Sequence, residues 1–133
     1  MTNIVIVSHG RLAEALVEAA GMIAGAQDRL KAVSILPGES PETLEGKLSA
    51  ALHACQGQET LVLLDLLGGT PCNVALRCLR DDPRLEAVTG ASLPMLLELL
   101  TSPPDAPAAE LARLAAQAGR DAVRNVRPML QKG

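Results

Sequence analysis

The sequence predicts an α/β fold: an open, mostly parallel sheet of four strands covered by helices on both faces. Short unbroken apolar runs recur along the chain, as strands buried on both faces require. Stretches with apolar residues at three- and four-residue spacing lie between them, as amphipathic helices require. Turn residues (Gly, Pro, Ser, Asp) punctuate the two kinds of segment, and strict strand–helix alternation implies crossover connections and parallel pairing.

The first strand is expected over Ile4 to Val7, a β-branched run. From Arg11 to about Ile23, Leu12, Ala15, Leu16, Ala19, Ala20, Met22 and Ile23 form a helical stripe. Lys31 to Leu36 is the second strand. Pro37-Gly38 then turns the chain, Ser40 is placed as an N-cap, and Pro41 occupies a first helical position, where a missing N–H costs nothing. That helix should run to about Cys55. Thr60 to Leu64 is the third strand, and Thr70 is expected to cap a helix ending near Arg80. Leu85 to Val88, Leu93 to Leu100 and Ala108 to about Asp121 follow as strand, helix and helix. Ala122 to Arg127 carries enough β-branched character for a short edge strand.

A length of 133 residues suits one domain spanning 1–133, with no internal repeat or linker. The apolar share is 48% but includes no Phe, Tyr or Trp, so no aromatic platform exists for a sugar ring or an unpaired base. Twelve basic and fifteen acidic residues give a net charge of −3 without a basic run, which argues against nucleic acid. Apolar runs such as Leu61-Val62-Leu63-Leu64 fall far short of the ~20 residues of a membrane helix. The N-terminus lacks a basic leader and reads as a strand. Cys55, Cys72 and Cys78 are odd in number and show no C-x-x-C spacing, which disfavours a disulfide framework or a zinc site and fits a reducing cytoplasm. No Walker-type or G-x-G-x-x-G segment occurs, so neither direct use of ATP nor a dinucleotide is supported, and no metal or other cofactor is expected.

In an open parallel sheet, ligands meet the carboxyl ends of the strands. The first strand ends in Ser8-His9-Gly10 and the third in Asp65-Leu66-Leu67-Gly68-Gly69-Thr70-Pro71. A flavodoxin-like strand order makes these two strands neighbours and brings His9 beside Asp65. A carboxylate that accepts one ring N–H fixes the tautomer and leaves the other nitrogen free as a nucleophile, so His9 is the candidate phosphoryl acceptor. Gly68 and Gly69 allow close backbone approach, and the following helix start with Thr70 offers donors to an anion. His53 is expected as an exposed helix residue, Cys72 as a buried inert thiol, and Arg77, Arg80 and Arg84 as solvated charges.

Ser8-His9-Gly10, Pro37-Gly38-Glu39-Ser40, Asp65 to Asn73 and Gly90-Ala91-Ser92-Leu93-Pro94-Met95-Leu96 follow the four strands in order. Together they resemble the IIA component of the mannose-class sugar phosphotransferase system, over residues 3 to about 126. The resemblance implies a cytoplasmic phosphocarrier in which His9 takes a phosphoryl group from phosphorylated HPr and passes it to a IIB component. It assigns Asp65 to orient His9, and Gly68, Gly69 and Thr70 to the phosphate. Leu66 and Leu67 stand where that family often has a hydroxyl residue and an aromatic, which leaves Thr70 as the hydroxyl donor. In the resembling family a tail strand is exchanged between subunits, so a symmetric homodimer follows for Ala122–Arg127. The IIB component is expected on a separate polypeptide, with the membrane IIC and IID components reached only through it. A regulatory module, whose partner binding is switched by phosphorylation of His9 without sugar transport, would use the same residues. A nucleotide binder on the Gly68-Gly69 loop is disfavoured by the missing aromatics.

Overall fold

A computed structural model describes residues 1–132, and in it strands and helices alternate as β1 (Asn3–His9), α1 (Leu12–Ala24), β2 (Leu30–Ile35), α2 (Pro41–Ala54), β3 (Thr60–Leu64), α3 (Gly69–Asp81), β4 (Leu85–Thr89), α4 (Leu93–Leu100) and α5 (Ala108–Asp121). All four strands are parallel, in the order β2-β1-β3-β4, as the alternation predicted. β1 and β3 pair in a register that sets Val7 beside Leu64. β1 reaches two residues beyond its expected end because His9 still pairs with Ile35 of β2.

Successive side chains of a strand face opposite sides of the sheet, and the two central strands show what this does to an all-aliphatic core. Ile4 and Ile6 of β1 and Leu61 and Leu63 of β3 point to one face, where Ala13 and Ala20 of α1, Met95, Leu96 and Leu99 of α4 and Leu111 and Ala115 of α5 cover them. Val5, Val7, Val62 and Leu64 point to the other, against Leu44 and Leu48 of α2 and Cys72, Val74 and Ala75 of α3. Both central strands are therefore sealed on two sides, which is why their sequences read as unbroken apolar runs.

This layering also locates the crevice. From β1 the chain moves to β2 on one side, then crosses back over the other face through α2 to β3 on the opposite flank of β1. The order reverses between β1 and β3, and the loops after them part at their carboxyl ends.

Of the two expected N-caps one forms and one does not, and Ser92 adds a cap that was not among the expectations. Ser40 Oγ accepts the Thr43 N–H at 3.1 Å ahead of Pro41, and Ser92 Oγ accepts the Met95 N–H at 3.4 Å ahead of Pro94. Thr70 is not an N-cap. Gly68 holds that position, with φ 89°, and Thr70 lies inside the first turn of α3, so no side chain caps this helix. The expected strand over Ala122–Arg127 is also absent from the single chain. Ala122 closes α5, the backbone through 126 pairs with no strand, and a 3₁₀ helix spans Arg127–Lys132. With its partner edge missing within the chain, the segment leaves Val123 and Val126 exposed. No helix among the described residues is long and apolar enough to cross a membrane.

Leu63 sits at the centre of the sheet with no exposure, among side chains that have no aromatic bulk to collapse into its place. Leu63→Ala should lower unfolding free energy by about 2–5 kcal/mol in urea titration followed by far-UV circular dichroism. A loss under about 1 kcal/mol would mean that the core rearranges to fill the gap.

Candidate functional site

His9 and Asp65 emerge side by side at the reversal point. The ladder between β1 and β3 extends past Leu64 through the Asp65 N–H, which donates to the Val7 carbonyl at 3.3 Å. Asp65 then turns its carboxylate back on His9. Oδ2 accepts the His9 backbone N–H at 2.9 Å and lies 2.9 Å from the ring nitrogen Nδ1, while Oδ1 accepts the Leu66 N–H at 2.9 Å. The Asp65 side chain is only 9% exposed, whereas that of His9 is 48% exposed.

Burial pushes the Asp65 carboxyl upward, but the hydrogen bonds from the His9 N–H, the His9 ring and the Leu66 N–H outweigh it and hold the pKa below the ordinary 3.8. The group is thus an ionised carboxylate at neutral pH. A carboxylate can only accept, so the proton between it and the ring belongs to Nδ1. In the neutral form of the ring this tautomer leaves the lone pair on Nε2, on the half-exposed side of the imidazole.

Beyond the imidazole lies Gly69. A Cβ placed there would stand 3.4 Å from His9 Cε1 and 3.5 Å from Nε2, and Gly69 has φ +82°, in the left-handed region. Glycine therefore serves two needs at this position: the turn into α3 and open space in front of the ring. No side chain caps α3, so its first-turn N–H groups carry no capping bond, and a helix start of this kind suits an anion. Thr70, half-buried, lies in the same turn. His9, Asp65, Gly69 and the α3 start are thus brought together as expected, with Gly68 and Thr70 flanking Gly69 along the chain.

His53 lies apart, exposed near the end of α2. Cys55 and Cys72 are buried free thiols and Cys78 is a half-buried one. Arg77 pairs with Glu45 at 3.3 Å, and Arg84 is held by Asp82 at 2.9 Å. Among the described residues no group of three or more His, Cys, Asp or Glu side chains could hold a metal ion.

Ser8 has a role that the sequence does not reveal. Fully buried, its Oγ accepts the Ala13 N–H at 2.8 Å and donates to the Gly10 carbonyl at 3.1 Å. It braces the turn that carries His9 and takes up a donor at the start of α1. An ordinary N-cap bonds two or three residues ahead. Ser8 bonds five ahead, across a turn, so capping periodicity does not flag it.

Fold and site together define an α/β protein that presents a carboxylate-anchored histidine beside an uncapped helix start. The EIIA-man family model, described as the PTS system fructose IIA component, matches residues 3–117. The chain belongs to this family. It is 39% identical over 102 residues to the fructose-specific EIIA component of the PTS system of Bacillus subtilis (strain 168), covering 76% of this chain and 70% of that one. It is 38% identical over 123 residues to the mannose-specific EIIAB component of Escherichia coli (strain K12), covering 91% of this chain but only 38% of the relative's length. The mannose/sorbose-specific IIA subunit of the phosphotransferase system from Enterococcus faecalis superposes with a TM-score of 0.87 at 36% identity, over 93% of each chain.

The lowered pKa of Asp65 ties stability to pH with a definite sign. Its stabilising effect is complete above the unfolded value of about 3.8 and disappears as pH falls through the lower folded value. Asp65→Asn should therefore be less stable than the parent at pH 6, and the gap should narrow below pH 3.8 in paired urea titrations. A gap constant across that range would show that the carboxylate's charge plays no part.

Proposed function

We propose that this chain is a phosphocarrier of a sugar phosphotransferase system, accepting a phosphoryl group on His9 from phosphorylated HPr and passing it to a IIB component. The observation that carries the reading is the Asp65 Oδ2 contact at 2.9 Å from His9 Nδ1, which leaves Nε2 free on an exposed ring. The Nε2 lone pair attacks phosphorus, the N–P bond of the donor's phosphohistidine breaks, and its electron pair returns to the donor ring. Asp65 stabilises the positive charge that His9 acquires, by holding the Nδ1 proton. The first-turn N–H groups of α3, the Thr70 hydroxyl and the space kept open by Gly68 and Gly69 receive the phosphoryl oxygens. Onward transfer to IIB is the same displacement in reverse, with His9 as leaving group.

The absence of aromatic side chains supports this division of labour, since the chain has no ring platform of its own for a sugar. The relatives' names, fructose-specific and mannose-specific, support a role in sugar uptake of this transport class. In this reading residues 1–133 act as one cytoplasmic domain that meets the membrane IIC and IID components only through IIB.

Incubated with phosphorylated HPr, the protein should gain one phosphoryl group, labile in acid and stable in alkali. His9→Ala should abolish labelling and His53→Ala should not. Asp65→Asn should slow transfer while the circular dichroism spectrum stays unchanged. Thr70→Ala should cost about 1–2 kcal/mol of transition-state stabilisation, the value of one hydrogen bond to a charged group. Label retained in His9→Ala would remove His9 as the acceptor.

The same reading includes a homodimer in which the tail beyond α5 adds to the sheet of a second subunit. Val123 is 82% exposed and Val126 62%, and the sheet of one chain has two open edges, β2 and β4. Sedimentation at micromolar concentration should give the mass of two chains, and truncation after Asp121 should return a monomer of lower stability. A full-length monomer would rule the exchange out.

A further inference from the structure

The Pro37-Gly38-Glu39-Ser40 turn follows the strand next to His9, and of its four residues Pro37 alone borders the histidine's cleft. Its side chains are nevertheless tied to the strand end. Glu39 Oε1 accepts the Leu36 N–H at 2.7 Å and the Lys47 ammonium at 2.7 Å. The same ammonium donates to the Ser34 carbonyl at 3.0 Å. Lys47 lies on α2, so one charged group fastens that helix both to β2 and to the turn leaving it. The contacts with Lys47 and the Leu36 N–H also hold the Glu39 carboxyl below its ordinary range.

What this clamp shapes is the wall beside the histidine. Ile35, Leu36 and Pro37 line a cleft of about 280 Å³ together with His9 and Gly10. The His9 turn is fixed to the same wall, because the Gly10 N–H donates to the Ile35 carbonyl at 2.8 Å. A protein whose phosphohistidine is to reach His9 Nε2 must lay its surface over the residues around that nitrogen. An apolar wall held rigid before contact spares the ordering cost of docking.

We propose that Glu39 and Lys47 are positioning residues that preset the Ile35–Leu36–Pro37 wall on which the phosphohistidine-bearing donor docks beside His9. The inference rests on the phosphocarrier reading. Neither residue touches the phosphoryl group. Their effect falls on the productive encounter with the donor protein and leaves the nucleophile unchanged.

The test compares two phosphoryl donors, phosphorylated HPr and the small molecule phosphoramidate, on the full chain. Phosphoramidate needs no docking wall. Glu39→Ala and Lys47→Met should each raise KM for phosphorylated HPr by about tenfold with kcat within about twofold, and their double variant should be no worse than either alone. Lys47→Arg, which keeps the cation, should restore most of the parental KM. Labelling of His9 by phosphoramidate should proceed at the parental rate in every variant. A merely structural role would slow both donors alike. Parental KM values in both single variants, or equal losses with the two donors, would overturn the inference while leaving His9 as acceptor. A parent chain that takes no label from phosphorylated HPr would instead bring down the phosphocarrier reading, and this inference with it.

Discussion

Asp65 Oδ2 accepts the His9 backbone N–H and faces the His9 ring nitrogen, both at 2.9 Å, so the join between two strands and the orientation of an imidazole rest on one atom. Burying a carboxylate is costly unless hydrogen bonds replace the lost water. Here the replacement comes from the backbone at the ends of β1 and β3, groups that would otherwise lack partners once the ladder stops. The charge and the strand ends satisfy each other. That mutual satisfaction is available only between adjacent strands, which makes the β2-β1-β3-β4 order a condition of the site as well as of the fold.

The two helix starts nearest the histidine are treated differently. At α1 the buried Ser8 hydroxyl takes the Ala13 N–H, while at α3 a glycine precedes the first turn and no side chain takes its donors. The first helix is thereby fastened to the His9 turn, and the second keeps its positive end available. Helices on opposite faces of the sheet thus differ at the histidine: one braces its turn, and the other starts without a side-chain cap. The pattern follows from the placement of a serine and two glycines.

Most of the architecture is legible in the chain because the aliphatic runs are short and the turn residues between them unambiguous. Thr60–Leu64, Leu93–Leu100 and Ala108–Asp121 begin and end where their periodicity says, each flanked by Gly, Ser, Pro or Asp. Discrepancies arise where tertiary partners override local chemistry. Thr70 has the side chain of a cap, but the left-handed backbone that α3 needs at its entry belongs to Gly68. Residues 122–127 have strand composition, but β propensity expresses itself only against a paired edge, and within the single chain the segment pairs with neither edge of the sheet. His9 and Asp65 were legible as a pair because both stand at strand ends. Ser8, Glu39 and Lys47 were not, since their roles consist of bonds to backbone groups that sequence alone does not bring near.

The pairing of Val7 with Leu64 has a consequence for how the molecule can fail. Side chains alternate between the two faces, so sliding β3 along β1 by one residue would exchange its inward and outward sets, aiming Leu63 and Leu64 at the wrong helices. The same slip would carry the Asp65 carboxylate about 3.3 Å, one strand residue, away from the imidazole it anchors. Packing and chemistry therefore break together. A misregistered copy loses the anchored imidazole together with its packing, so the geometry at a single histidine reports the register of the whole sheet.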